Sequence, residues 1–284
     1  MKNLRYYNDS TIDFHKKVVD SKNNTRLDPD YKSRLLTLNE VISDKFDTYD
    51  DLLAENKLLE SAPIEFSIQN KKDLLKLYSF KSKVINDLKI KLTSTEFNRI
   101  SNTCQNCTIN EVNSFDHVLP KEEFTEYVVN PKNLFPCCTE CNSYKGTSYE
   151  DGGKPLFLNL YLDELPNEQY LFVNIDFNGG DIMSRFHVRN DGVIDEDLFD
   201  IIESHYTKLH LFQRFCENSN SVISELVNTI KPNINVVTKE QMVTMITNKI
   251  RKDREVFGYN YWKSILELAL MENEEFMEWV FEND

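Results

Sequence analysis

The sequence predicts a mainly helical α+β protein, in which a small cysteine-rich finger lies between an N-terminal helical region and a C-terminal region of strands and helices. Three observations predict this class. Apolar residues recur at helical spacing in both outer regions. Two Cys-x-x-Cys sequences bracket the middle of the chain. Short alternating segments follow the second of them. We therefore expect three regions, at residues 1–100, 101–150 and 151–284.

The N-terminal region is expected to be helical after an irregular start. Residues 1–31 are polar, with loop and turn sequences. From Tyr31 to Phe46 apolar residues follow a helical period, and residues 70–92 contain the longest such run. Thr93 and Glu96 have the spacing of a capping box and predict a short helix at 97–100 that leads into the finger.

The cysteines of the finger predict a structural metal site. Cys104 and Cys107 form one Cys-x-x-Cys pair, and Cys138 and Cys141 form the other. Each pair places two thiolates on one side of a tight turn, and four thiolates in a tetrahedron are a structural Zn²⁺ site. Cys137 is left out because only Cys138 has a two-residue gap to Cys141. Buried free thiols are the alternative, but two matched pairs make it weak.

Between the two pairs, the residue types fit phosphodiester hydrolysis. Asp116 and His117 are neighbours on an expected strand, so their side chains point to opposite faces. One can bind a hard divalent cation while the other takes a proton from water. Asn142 follows the second cysteine pair on an expected helix and offers a second oxygen to Mg²⁺. Lys145 lies on the same helical face and could contact phosphate.

These residues resemble the HNH endonucleases, the zinc-containing ββα-metal group. The shared order is Asp-His-x-x-Pro, then Asn-Leu, then Cys-x-x-Cys-Asn-x-x-Lys. The resemblance implies a ββα-metal finger with His117 as general base, Asp116 and Asn142 as ligands of the catalytic metal, and Asn133 fixing the loop that carries His117. Lys145 matches a frequent basic position. The founding pattern has His where this chain has Asn142, which favours Mg²⁺ or Mn²⁺ as the catalytic metal.

Within the finger and after it, the pattern predicts strands and then helices. Residues 108–118 are expected to form a hairpin, with Asn110 or Asn113-Ser114 at its turn. Further strands are expected at 156–162, 170–177 and 185–189, where Asn178-Gly-Gly-Asp181 is a hairpin turn sequence. Helices are expected at the end of the chain, at 198–230 with a break near Ser219, at 239–257 and at 261–281.

A finger of this style with a mixed strand-helix tail is similar to the nuclease subunit of Septu-type anti-phage systems, which works beside a separate ATPase. This resemblance implies DNA cleavage, an ATPase partner and a defence role. Two alternatives stay open. The same chemistry could act on RNA such as tRNA, because such a finger contacts phosphate and sugar more than bases. A zinc-containing binding module without catalysis is the other, although it would need only the cysteines.

The charge distribution is unusual for a protein that binds nucleic acid. The formal net charge is −14, whereas such proteins usually carry a basic surface. Residues 1–100 contain 18 Lys and Arg against 16 Asp and Glu, and residues 101–284 contain 15 against 31. The stretch from Lys71 to Lys91 is basic and is either a phosphate-facing surface or a solvated helix face. The acidic remainder indicates that another subunit supplies part of the grip on nucleic acid, or that the fold limits access of DNA.

The sequence predicts a cytoplasmic protein without a membrane segment. The first residues lack the apolar segment of a signal peptide, and no apolar run is long enough to span a bilayer. Zinc-type cysteines in such a chain are typical of a reducing compartment. The sequence also lacks a Walker-type phosphate-binding loop, so this chain is not expected to hydrolyse ATP.

Overall fold

The computed structural model describes residues 1–94 and 101–282 and divides the chain into two units. The N-terminal unit comprises residues 3–106 and 110–164, and the C-terminal unit comprises residues 1–2, 107–109 and 165–284. The fold is mixed α/β, with about half of the chain in helices. The region boundaries expected from the sequence stay predictions.

Five helices build the first part of the N-terminal unit: α1 Thr11–Asp20, α2 Tyr31–Thr37, α3 Asn39–Ala54, α4 Ile68–Leu75 and α5 Lys83–Thr93. Serine side chains begin three of them, since Ser10, Ser67 and Ser82 each accept a hydrogen bond from the backbone N–H three residues later.

Two expectations for these helices are wrong. The first 31 residues are not irregular throughout, because α1 forms behind its Ser10 cap. Residues 70–92 are not one helix, because α4 ends at Leu75 and the Ser82 cap begins a new helix. The short helix expected at 97–100, with its capping box, lies outside the described residues.

A strand pair, a helix and a second, smaller strand pair complete the N-terminal unit. β1 Ser114–His117 pairs antiparallel with β2 Leu134–Cys137, so that Ser114 lies opposite Cys137 and His117 opposite Leu134. Helix α6 Thr139–Lys145 follows and ends at Gly146, whose φ of +56° suits a residue without a Cβ. Strands β3 Glu150–Asp151 and β4 Lys154–Pro155 pair with each other.

The hairpin expected within residues 108–118 is wrong. Strand β1 pairs instead with β2, across a connection that includes a 3₁₀ turn at Thr125–Tyr127. The expected turn residues bond to the cysteine segments. The Asn110 carbonyl accepts from Cys104 N at 2.8 Å, and the Asn113 side chain accepts from Thr139 N at 2.7 Å. Asn110 therefore bonds to the segment of the first cysteine pair, and Asn113 bonds to the segment of the second.

One apolar core runs through the helices and the strand pair of the N-terminal unit. Ile42, Phe46 and Leu77 of the helical part are at most 1% exposed, and so are Phe115 and Leu134 of the strand pair. Burying a large apolar side chain stabilises a fold by about 1.5–3 kcal/mol. The segment that carries the candidate site is thus fixed by the same core as α3, α4 and α5.

In the C-terminal unit, a hairpin precedes five helices. β5 Leu171–Asn178 pairs with β6 Asp181–Val188 across the Gly179-Gly180 turn, as expected. The helices are α7 Glu196–Lys208, α8 Leu211–Ile230, α9 Lys239–Phe257, α10 Trp262–Glu272 and α11 Glu274–Glu282.

Three expectations for this part of the chain are wrong. The break in residues 198–230 falls at His210, whose φ is +53°, whereas Ser219 is buried inside α8. Residues 261–281 form two helices, because Asn273 adopts an extended backbone between them. Residues 156–162 form no strand. Among the described residues, none of the helices has the length and apolarity that a bilayer span requires.

Candidate functional site

Four of the cysteines come together in a buried cluster. The Sγ atoms of Cys104, Cys107, Cys138 and Cys141 all lie within 4.8 Å of one another. Tetrahedral zinc with Zn–S bonds of about 2.3 Å places its sulfur atoms about 3.8 Å apart. The cluster therefore could hold a metal such as zinc, and its four members are the ones that the spacing predicted.

The local backbone prepares these cysteines to be thiolates. Cys107 Sγ accepts from Ile109 N and Cys138 Sγ accepts from Cys141 N, each at 3.4 Å. Cys138 is also the N-cap of α6, where the helix dipole favours a negative charge. Cys137 lies on β2 outside the cluster, and burial raises the pKa of its thiol well above the usual range. It is suited to be a neutral core residue.

Helix α6 packs along strand β1 through two polar contacts. Asn142 Nδ2 donates to Ser114 Oγ at 3.1 Å, and Lys145 Nζ donates to Asp116 Oδ1 at 3.0 Å. Residues three apart on a helix share a face, and residues two apart on a strand share a face. Both contacts are therefore made in a single alignment of α6 along β1.

Asp116 and Lys145 form a buried ion pair. Asp116 is 6% exposed and so is Lys145, whose Nζ also donates to the carbonyl of His117 at 2.7 Å. Burial raises the pKa of the Asp116 carboxyl, and the nearby Lys145 ammonium opposes that rise. The phosphate contact expected of Lys145 stays a prediction, and the structure places its Nζ against Asp116.

His117 is held in one orientation with one nitrogen available. Its Nε2 lies 3.0 Å from the carbonyl oxygen of Val128, which can only accept, so Nε2 carries the proton and Nδ1 has the free lone pair. Within the described residues Nδ1 makes no hydrogen bond, so its lone pair is not used inside the protein. Burial lowers the pKa of His117 to about 3, and the ring is therefore neutral at neutral pH.

Asn133 closes the loop that leaves β1. Its Nδ2 donates to the carbonyls of Leu119 at 3.0 Å and Tyr127 at 3.3 Å. Its Oδ1 accepts from Leu119 N at 2.8 Å and from the Tyr49 hydroxyl at 3.2 Å. The fully buried amide thus uses all of its hydrogen-bonding capacity to hold the backbone two residues after His117. This is the position that a loop-fixing asparagine would need.

Oxygen atoms of Asp116 and Asn142 suit a hard divalent cation. The amide oxygen of Asn142 accepts no hydrogen bond from the described residues, since its contact with Ser114 uses Nδ2. Besides the four cysteines, the described residues contain no group of three or more His, Cys, Asp or Glu placed to hold a metal. Mg²⁺ fits such a sparse set, because it keeps several of its waters.

Tyr78 is a part of this site that the sequence did not indicate. Its hydroxyl accepts from Phe115 N at 3.2 Å, and its ring packs edge-on against the ring of His117 with centroids 4.9 Å apart. Burial raises the pKa of Tyr78 to about 12, so the hydroxyl stays protonated. In the sequence, Tyr78 is one of the apolar positions of a helical run. Its hydroxyl group is the only feature that indicates a polar role.

We expect the Tyr78 ring, more than its hydroxyl, to hold His117 in place. Tyr78→Phe should lower the free energy of unfolding by about 1 kcal/mol, the net value of a hydrogen bond. Tyr78→Ala should lower it by about 2 kcal/mol or more, because a cavity opens beside His117. Urea unfolding measures both losses, and imidazole ¹⁵N shifts report the His117 tautomer. Equal losses in the two variants, with the tautomer unchanged in both, would contradict this role for the ring.

Comparison with known proteins points to one kind of bacterial protein. Part of this chain is similar to a Septu protein. The two chains are 31% identical over 99 residues, and the relative is Septu protein PtuB of Bacillus thuringiensis. The match covers 34% of this chain and 37% of the Septu protein. No protein-family model matches the chain, and no solved structure is similar to it. The relation to Septu proteins is thus supported, whereas membership of the HNH endonucleases is not tested by these comparisons.

Proposed function

We propose that this chain is an HNH endonuclease that hydrolyses DNA phosphodiester bonds and acts as the nuclease component of a Septu-type anti-phage defence complex. Its similarity to a Septu protein supports the defence role. The arrangement around His117 supports the chemistry. We place the complex in the cytoplasm, where thiolate zinc sites remain reduced.

The observation that carries the proposal is the single hydrogen bond from His117 Nε2 to Val128 O. It fixes the tautomer in which Nδ1 has the free lone pair, on the residue that follows the buried Asp116 in β1. Nδ1 would take the proton of the attacking water. Asp116 and Asn142 would hold Mg²⁺ or Mn²⁺, which when bound neutralises charge that develops on the phosphate. Lys145 opposes the rise that burial causes in the pKa of Asp116, and Asn133 holds the His117 loop in place.

A partner protein accounts for the charge of the chain. With a net charge of −14, the chain as a whole repels DNA. We propose that a separate ATPase subunit brings DNA to the site and controls access to it.

The test is plasmid cleavage by the purified chain with Mg²⁺ or Mn²⁺, alone and with any co-purifying protein. His117→Ala should lower the cleavage rate by roughly 10²–10⁴-fold, the range that general-base catalysis contributes. The matched control is His187→Ala, which removes a histidine of the C-terminal hairpin. Zinc content and circular dichroism should show that both variants are folded.

The possible outcomes separate the alternatives. Equal cleavage by the parent and by His117→Ala would contradict His117 as the base. Cleavage of RNA, for instance tRNA, with DNA untouched would change the substrate. Zinc-bound protein that cuts neither, alone or with its partner, would favour a binding module without catalysis.

A further inference from the structure

Charge in the N-terminal unit is segregated by element. Helices α4 and α5 and the segment between them carry seven lysines against two aspartates, whereas α3 carries five acidic residues against one lysine. A basic face of this kind is unexpected in a chain whose net charge is −14. It indicates a local surface for an anionic partner.

Four of the seven lysines are engaged within the fold. Lys76 Nζ lies 3.7 Å from both Asp28 and Asp73, and Lys83 pairs with Asp87. The other two engaged lysines contact aromatic rings, Lys89 over Phe80 and Lys91 over Tyr7 beside its ion pair with Asp9.

The other three lysines are available to contact a ligand. Lys71, Lys72 and Lys81 are exposed, and none of them forms an ion pair with any described residue. We call these three residues the free lysines.

Two of the free lysines, Lys81 and Lys71, can be placed relative to the candidate site, and Lys72 is the neighbour of Lys71 on α4. Lys81 is three residues from Tyr78, whose ring contacts that of His117, so the two backbones are at most about 11 Å apart along the chain. Lys71 lines an open groove of ≈650 Å³ that also includes Pro120 and Thr147. These two follow His117 and Lys145 in the chain by three and two residues. A strand of nucleic acid with its cleaved bond at His117 would pass the free lysines within a few nucleotides.

The acidic residues of the same groove offset part of this attraction. Glu122 is paired with Lys121 at 2.8 Å, and Glu123 accepts a hydrogen bond from the Tyr149 hydroxyl at 3.3 Å. Glu65 is the third carboxylate of the lining. Glu65 and Glu123 thus remain as charges beside Lys71, whereas Lys72 lines a different surface pocket, together with Arg34 and Lys76.

We propose that Lys71, Lys72 and Lys81 bind the phosphates of duplex DNA on one side of the bond to be cut. This inference rests on the proposed function, since it supplies the substrate contact of that site. Lysine binds phosphate as a point charge and reads no sequence, so the surface positions the duplex and does not select a target.

The experiment measures binding separately from cleavage. The His117→Ala chain is titrated with a fluorescein-labelled duplex of DNA at several salt concentrations, with and without Lys71→Glu, Lys72→Glu and Lys81→Glu together. The control triple, Lys208→Glu, Lys239→Glu and Lys252→Glu, makes the same change in net charge at exposed lysines of the C-terminal unit. The plasmid assay is repeated with both triples and His117 intact.

The free-lysine triple should bind DNA at least about tenfold more weakly. Its slope of log affinity against log salt should fall by about 2.7, or about 0.9 for each phosphate that is no longer bound. The control triple should keep the parent slope. Equal salt slopes for the free-lysine triple and the control triple would contradict the proposed lysine surface. A parent chain that binds no duplex DNA at low salt would also contradict it. Tighter binding of duplex RNA than of duplex DNA would contradict it as well. The same holds if the free-lysine triple loses a co-purifying protein but still binds DNA.

The two proposals can fail independently. If both triples retain full cleavage activity, the proposed lysine surface is wrong and the proposed nuclease function is unaffected. Lysine-dependent DNA binding by a parent chain that cuts no nucleic acid would do the reverse.

Discussion

Cys138→Ser is expected to release the bound metal and to unfold the N-terminal unit. Zinc bound to four thiolates contributes about 10–16 kcal/mol in small zinc domains, whereas a whole domain is typically stable by about 5–15 kcal/mol. Cys138 also caps α6 through its sulfur, and a serine hydroxyl can keep that cap, so the substitution removes the metal ligand alone. Metal analysis of the purified protein and a circular dichroism melting curve measure the two effects.

Neighbouring cysteines provide the controls. Cys137→Ala alters the adjacent buried residue on β2, and Cys216→Ala alters a thiol on α8 that donates to Ser184 O. Both variants should retain one equivalent of metal and melt within a few degrees of the parent. A Cys138→Ser protein with full metal content and an unchanged melting curve would contradict the four-cysteine site, and so would loss of metal from Cys137→Ala.

Lys145→Met is expected to cost about 3–5 kcal/mol of stability, the usual cost of removing one partner of a buried ion pair. Asp116 would be left without its cation in a place where burial already disfavours its charge. Methionine has a similar length and keeps the apolar packing of the lysine stem. Urea unfolding of the parent and of the variant measures the loss.

A double-variant cycle separates stability from catalysis. Asp116→Asn combined with Lys145→Met removes both charges, so most of the lost stability should return. Cleavage should not return, because the proposed metal ligand is missing. A double variant as unstable as Lys145→Met alone would show that the lysine acts through its bond to the His117 carbonyl and not through Asp116.

The sequence predicted those parts of the fold that depend on short-range patterns. The cysteine set followed from two-residue spacings, α9 followed from periodicity, and the Gly-Gly turn predicted the C-terminal hairpin. Each of these signals lies within a few neighbouring residues. Such signals are strong because the structures that they predict do not depend on contacts with distant residues.

What the sequence missed depends on contacts between distant residues. The pairing of β1 with β2 joins segments about twenty residues apart, and a hairpin is the usual first expectation for a short strand followed by turn residues. The ion pair joins Lys145 to a residue 29 positions earlier, and Tyr78 contacts a strand 37 positions later. Side-chain partners of this kind are set by packing, and a sequence pattern does not encode them.

The shared core of the N-terminal unit has a consequence for protein engineering. Phe115 and Leu134 pack in one cluster with Leu77 and Ile85, so residues 101–150 have no separate interior of their own. Cut out and fused to a foreign DNA-targeting domain, this segment would expose an apolar face and aggregate. A transferable piece would have to keep the helices of the N-terminal unit, which comprises residues 3–106 and 110–164, together with the strands that they support.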